Sequence, residues 1–97
     1  NFREALADFD KAIELESTNI EVYVNRAIIK SIMSDFDGAL LDFNKALALN
    51  PNFAEGYRNR AKTYFSKGLK NEACIDFQKA IELGSTDAAN DLKAYCE

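Results

Sequence analysis

The chain has 97 residues, 47% of them apolar, with a net charge of −4, two cysteines, one proline and no histidine. That size and composition suit a single folded domain and argue against disorder, and charges of both signs alternate without a basic block, so no nucleic-acid partner is expected. Apolar runs are only a few residues long, far short of the ~20 that a bilayer span needs, so no membrane insertion is expected either.

The first predicted element is a helix over residues 2–15, in which Phe2, Ala5, Leu6, Phe9 and Ile13 form one apolar stripe at three- and four-residue spacing. The chain opens at Asn1 rather than Met, inside that pattern. The expectation is therefore a piece of a longer protein, with any targeting signal outside it and the cytoplasm the favoured compartment. Ile20, Tyr23, Ala27 and Ile28 make a second stripe, which breaks at Ser34-Asp35, where Asp35 is placed to cap a third helix. In that helix Ala39, Leu40, Phe43, Ala46, Leu47 and Leu49 share a face, and Asp42 and Lys45 are assigned to the opposite, solvent side. Asn50-Pro51-Asn52 ends it, because proline cannot continue a helix and biases the residue before it away from helical angles.

After Pro51 the pattern is written again. Residues 3–16, 37–50 and 71–84, each displaced by 34, share Ala, Asp, Phe, Lys, Ala and Leu at the same six places. Residues 23–27 read YVNRA and residues 57–61 read YRNRA, again 34 apart. A fixed period of this length is the mark of a stacked array of small units. Ala27, Ala61, Ala39 and Ala73 let two helix backbones approach, and Phe43 and Phe77 fill the space beside them. One helix pair cannot bury both of its stripes alone, so neighbouring units complete it. From Ser85 onward, STDAANDLKAYCE keeps Leu92 and Tyr95 among polar neighbours, as an array-sealing helix would.

With the period of 34 and Tyr23, Ala27, Ala39, Phe43, Ala46 and Pro51 in one unit, then Tyr57, Ala61, Tyr64, Gly68, Ala73, Phe77 and Ala80 in the next, the chain resembles a tetratricopeptide repeat array. The resemblance implies an all-α fold, a right-handed α-α superhelix of helix-turn-helix units with about six helices. It divides the chain into a half repeat at 1–16, repeats at 19–51 and 53–84, and a capping helix at 85–97. Two departures stand out: Lys30 occupies the place of a large ring held by Tyr64, which costs packing, and Ser85 replaces the linking proline, which suggests that the array stops there.

Arg26 and Arg60 each stand 16 residues before an Asp of their own repeat, so Arg26 is predicted to pair with Asp42 and Arg60 with Asp76 across a hairpin. Asp8 is the third copy of that Asp. Asn25 and Asn59 lie off the packing stripe. By resemblance, the first helix of each repeat lines a concave groove, and Asn at this place hydrogen-bonds the backbone of an extended peptide, to which its amide offers a donor and an acceptor. The alternative is that the two letters were merely copied with the repeat. Ile28 on one side, and Arg58, Lys62 and Phe65 on the other, would complete the groove, although for Arg58 and Lys62 a solvated helix face is the favoured reading. Some relatives clamp a C-terminal carboxylate with Lys, Asn and Arg; Glu55 and Asn59 stand where Lys and Arg are wanted, so chaperone-tail binding is not expected.

The main functional expectation is thus a scaffold that binds an extended segment of a protein partner. A second is self-association, with a homodimer formed through Phe2, Leu6, Phe9 and Ile13. Catalysis, metal and cofactor are not expected: Ser and Cys lack a histidine activator, and DFDG at 35–38 reads as a cap and helix start rather than a calcium loop. Cys74 falls in the slot of Leu6 and Leu40 and is read as a small core residue; a bridge to Cys96 is the less favoured alternative.

Overall fold

Six helices and no strands make up the computed structural model, which describes all of residues 1–97. They fall into two compact units, Asn1–Asn50 and Pro51–Glu97.

The first unit contains α1 (Phe2–Leu15), α2 (Ile20–Ile32) and α3 (Phe36–Leu49). Each begins at a residue whose side chain accepts an otherwise unpaired helix N–H: Asn1 from Glu4, Asn19 from Glu21 and Asp35 from Gly38. Helices α2 and α3 pack as a hairpin around Tyr23, Val24, Ala27, Ala39, Phe43, Ala46 and Leu47, all buried. Ala27 and Ala39 have no exposed surface, so the backbones close on each other there and Phe43 fills the adjoining space. Helix α1 packs on α2, and Leu6, Phe9 and Ile13 are half-buried while Phe2 remains 45% exposed. Three of the four residues expected to mediate self-association are therefore already partly covered within the chain.

The second unit contains α4 (Ala54–Ser66), α5 (Lys70–Glu82) and α6 (Thr86–Cys96). Its core is Ala61, Ala73, Phe77, Ala80 and Ala88, with Tyr57, Tyr64, Ile81, Leu92 and Tyr95 packed around it. Phe77, like Phe43, is fully enclosed. The capping differs from the first unit: Phe53 and Leu69 start α4 and α5 with no side-chain cap, whereas Ser85 accepts from Ala88 at the start of α6.

The turn inside each hairpin is the same object in both units. Asp35 N–H donates to the Lys30 carbonyl and Ser34 N–H to Ser31, just as Leu69 N–H donates to Tyr64 and Gly68 N–H to Phe65. This closure requires a left-handed residue, supplied by Gly68 at φ 90° in one hairpin and by Ser34 at φ 65° in the other.

Two expectations are corrected. Asp42 does not share the solvent face of Lys45; it is 4% exposed, because the Arg26 side chain reaches it from the facing helix. Cys74 is not a free core thiol: it is half-buried and joined to Cys96 by a disulfide, with the two Cα atoms 6.0 Å apart. The hairpin brings the start of α5 and the end of α6 within the span that such a bond needs, a proximity invisible in the spacing of the two residues.

Candidate functional site

The recurring YxNRA phrase resolves into a set of separate tasks along one helix face and its flanks. In the second unit the Tyr57 hydroxyl donates to the Pro51 carbonyl at 2.9 Å, tying α4 to the turn that precedes it. Arg60 donates from Nε and Nη2 to the two carboxylate oxygens of Asp76, at 2.7 and 2.8 Å, and its guanidinium lies 5.5 and 5.7 Å from the ring centres of Tyr57 and Tyr64. In the first unit Arg26 grips Asp42 with the same two atoms at 2.8 and 2.6 Å and lies 6.0 Å from the Tyr23 ring. Both predicted pairs form. They are two-point contacts between a planar guanidinium and a carboxylate, so they fix the helix register as well as neutralise charge.

Arg26 has a further partner that sequence reasoning missed. Its Nη1 donates to Asp10 on α1 at 2.8 Å, so one arginine links all three helices of its unit. The signal was available, since Asp10 precedes Arg26 by the same 16 residues that separate Arg26 from Asp42. Lys30, which replaces the second ring, reaches Asp42 at 3.2 Å instead. Where the other unit has a ring, this one thus places a second cation on a buried carboxylate.

The hydrogen bond to Asp42 is the largest cause holding the Arg26 guanidinium well above the ordinary arginine range, against the opposing effect of burial; the bond to Asp76 is likewise the first cause that raises the Arg60 guanidinium. A group raised on folding contributes stability that is fully present below its unfolded value and is lost only as pH rises through the higher folded value. The arginines therefore stay charged and paired throughout the neutral range.

The candidate binding residues divide sharply. Asn25 is exposed and Asn59 is half-exposed, and no hydrogen bond within the chain engages either side-chain amide. Ile28 and Lys62 are half-exposed on α2 and α4. Arg58 is different. Its Nε donates to Asp91 of α6 at 2.6 Å, and its Nη1 lies 3.7 Å from Glu55 and 3.9 Å from Asp87. The Asp91 bond raises its guanidinium above the ordinary range. Surrounded by three carboxylates, Arg58 is neither the free groove cation nor the solvated surface residue that its position suggested. Phe65, 38% exposed, sets its ring centre 4.7 Å from that of Tyr95, also on α6. Helix α6 thus attends to two of the candidate residues, a role its polar sequence did not announce. No group of His, Cys, Asp or Glu side chains is arranged to hold a metal ion.

Two family patterns match this sequence: one described as TPR repeat over residues 33–68 and one described as Tetratricopeptide repeat over residues 54–86, together more than half of the chain. The chain belongs to the tetratricopeptide repeat family. Solved tetratricopeptide repeat domains share its all-α helical solenoid. The first TPR domain of Spaghetti (RPAP3), bound to the HSP90 peptide SRMEEVD, is 27% identical with a TM-score of 0.89, over 97% of this chain and 76% of that one. The Arabidopsis OM64 TPR domain is 25% identical with a TM-score of 0.89, over 98% of this chain and 80% of that one. YrrB, a TPR protein with an unusual peptide-binding site, is 30% identical with a TM-score of 0.83, over 90% of this chain but only 46% of that one. No curated protein matches the chain by sequence. No helix is long and apolar enough to cross a membrane.

Proposed function

We propose that this tetratricopeptide repeat chain is a protein-interaction scaffold that holds an extended segment of a partner protein, with Asn25 and Asn59 hydrogen-bonding that segment's backbone. The observation that carries the reading is the state of these two amides. They recur at the same place on the first helix of each repeat, reach solvent, and have no partner within the chain. A side-chain amide matches a peptide unit donor to acceptor whatever the partner's own side chains are. Residues 19–51 and 53–84 serve as the two repeats in this reading, residues 1–16 as the second helix of a preceding one, and residues 85–97 as the cap.

Relatives of known structure support a peptide ligand: the Spaghetti domain holds SRMEEVD, and YrrB carries a peptide-binding site. The acidic character of the Spaghetti ligand is not carried over. Arg58 is already enclosed by Asp91, Asp87 and Glu55, so an acidic tail would have to displace carboxylates already paired with it. The ligand is therefore read as an internal or neutral segment, recognised through its backbone, with Ile28 and Lys62 as side-chain contacts.

Selection from a displayed library of random linear peptides tests this, using the parent chain beside its Asn25→Ala/Asn59→Ala variant. The expected result is a set of linear sequences captured by the parent and lost by a variant with unchanged helicity. Equal capture by both would reject the assignment of the Asn pair.

A further inference from the structure

Cys74 lies in the first half of α5 and Cys96 is the last residue of α6, so their disulfide ties the end of one helix to the flank of another. Helix α6 has only 11 residues, too few to be stable alone in water. Its apolar hold on the unit is modest: Ala88 is buried, and Leu92 and Tyr95 are half-buried. Its polar hold is Asp91 and, at longer range, Asp87 on Arg58. The covalent tie sits immediately after Tyr95, whose ring stacks 5.6 Å from Phe77 and tilts over Phe65, and a little more than one helical turn from Asp91. It is placed to decide whether those contacts persist.

The bond is also within reach of a reductant. Both cysteines are half-buried rather than sealed, and Cys74 opens on a cleft of about 420 Å³ lined by Cys74, Ile75, Gln78, Lys79 and Glu82. That is room for a small thiol, and Lys79 is part of the same lining.

We propose that the Cys74–Cys96 disulfide is a thiol-reversible clasp that holds α6 over Arg58 and Phe65, and that its reduction frees both side chains on α4. A thiolate of a low-molecular-weight thiol or dithiol attacks Sγ of Cys74, making a mixed disulfide and expelling the Cys96 thiolate, which takes a proton from water. A second thiolate attacks the reductant's sulfur in that mixed disulfide, releasing Cys74 and leaving as the oxidised disulfide of the reductant. Two electrons pass to the protein. The movement of α6 stands independently of the peptide reading. Its effect on binding rests on that reading: Arg58 and Phe65, covered by α6 while the bond is closed, join Ile28 and Lys62 as contacts once α6 opens.

Hydrogen exchange read by mass spectrometry, with and without a dithiol, tests the clasp, and labelling by an arginine-specific dicarbonyl reports on Arg58 in the same samples. A cross-link closing a loop of 22 residues restrains opening by roughly 300-fold, so reduction should accelerate exchange of the α6 amides by up to about that factor. Arg58 labelling should rise while Arg26 and Arg60 labelling stays constant, and reoxidation should reverse both changes. A Cys74→Ser/Cys96→Ser variant should behave like the reduced chain and ignore the dithiol. Unchanged α6 exchange, unchanged Arg58 labelling, or loss of protection in α4 and α5 together with α6 would each overturn the proposal. None of these readouts uses a peptide, so failure of the clasp and failure of the peptide reading are distinguishable.

Discussion

Arg60 on α4 and Asp76 on α5, 16 residues apart in sequence, meet through two parallel hydrogen bonds of 2.7 and 2.8 Å, with the carboxylate buried at 4% exposure. Removing the carboxylate strands a guanidinium in a site built for a pair. Asp76→Ala should therefore destabilise the chain by about 2 to 3 kcal/mol, less than the ~3 to 5 of a fully buried pair because the arginine side chain is one-fifth exposed. Asp8→Ala, at the exposed third copy of the same letter, should be nearly silent. Urea unfolding of both variants checks the contrast, and equal losses would show that the pair adds nothing to the hairpin.

Phe43 and Phe77 are the largest fully enclosed side chains of their units. Truncating either to alanine removes apolar burial and leaves a cavity flanked by alanines too small to fill it, at a cost of about 3 to 5 kcal/mol. Lys45→Ala and Lys79→Ala, both at exposed positions, should change stability by less than about 0.5 kcal/mol. Thermal unfolding followed by circular dichroism separates these outcomes.

Ser34 holds the left-handed angle that Gly68 holds in the other hairpin. A side chain there strains the backbone, whereas glycine meets the angle freely. Ser34→Gly should stabilise the first unit by roughly 0.5 to 1 kcal/mol, partly reduced by the greater freedom of glycine in the unfolded chain. A destabilised variant would mean that the serine side chain contributes more to this turn than its strain costs.

Leu69 begins α5 at φ −100° and ψ 70°, close to the −87° and 72° of Asp35 at the start of α3, yet it provides no cap. Leu69→Asp places a carboxylate where Asp35 already accepts an N–H, and should stabilise the chain by about 1 kcal/mol. Denaturant midpoints measured beside Asp35→Ala, which should lose a similar amount, test whether the two turns are interchangeable.

Much of this architecture was legible because duplication repeats its own constraints. The 34-residue offset aligned Phe43 with Phe77 and Arg26–Asp42 with Arg60–Asp76, so each copy checked the other. What has no copy was missed. The letters of α6 repeat nothing earlier in the chain, so nothing flagged that Asp91 would enclose Arg58 or that Tyr95 would meet Phe65, and the bridge from Cys96 to Cys74 stayed the less favoured of two readings. Asp42 was misplaced for another reason: helical periodicity assigns a polar letter to the solvent side, and the arginine predicted to pair with it in fact draws it inward. Asn25 and Asn59 were legible as letters that packing does not need, and both side-chain amides stay without a hydrogen-bond partner in the fold, which is why the proposed task for them is a ligand.

The most direct test of that task is a nuclear magnetic resonance titration with a library-selected peptide, following the side-chain NH2 signals of asparagine. Backbone recognition by the amides predicts that the Asn25 and Asn59 signals shift together and saturate with the peptide, while the backbone signals of Leu41 and Ile75, exposed on α3 and α5, stay in place. Saturating shifts at Leu41 and Ile75 with both asparagine signals unmoved would contradict the account and put the ligand on the other helices.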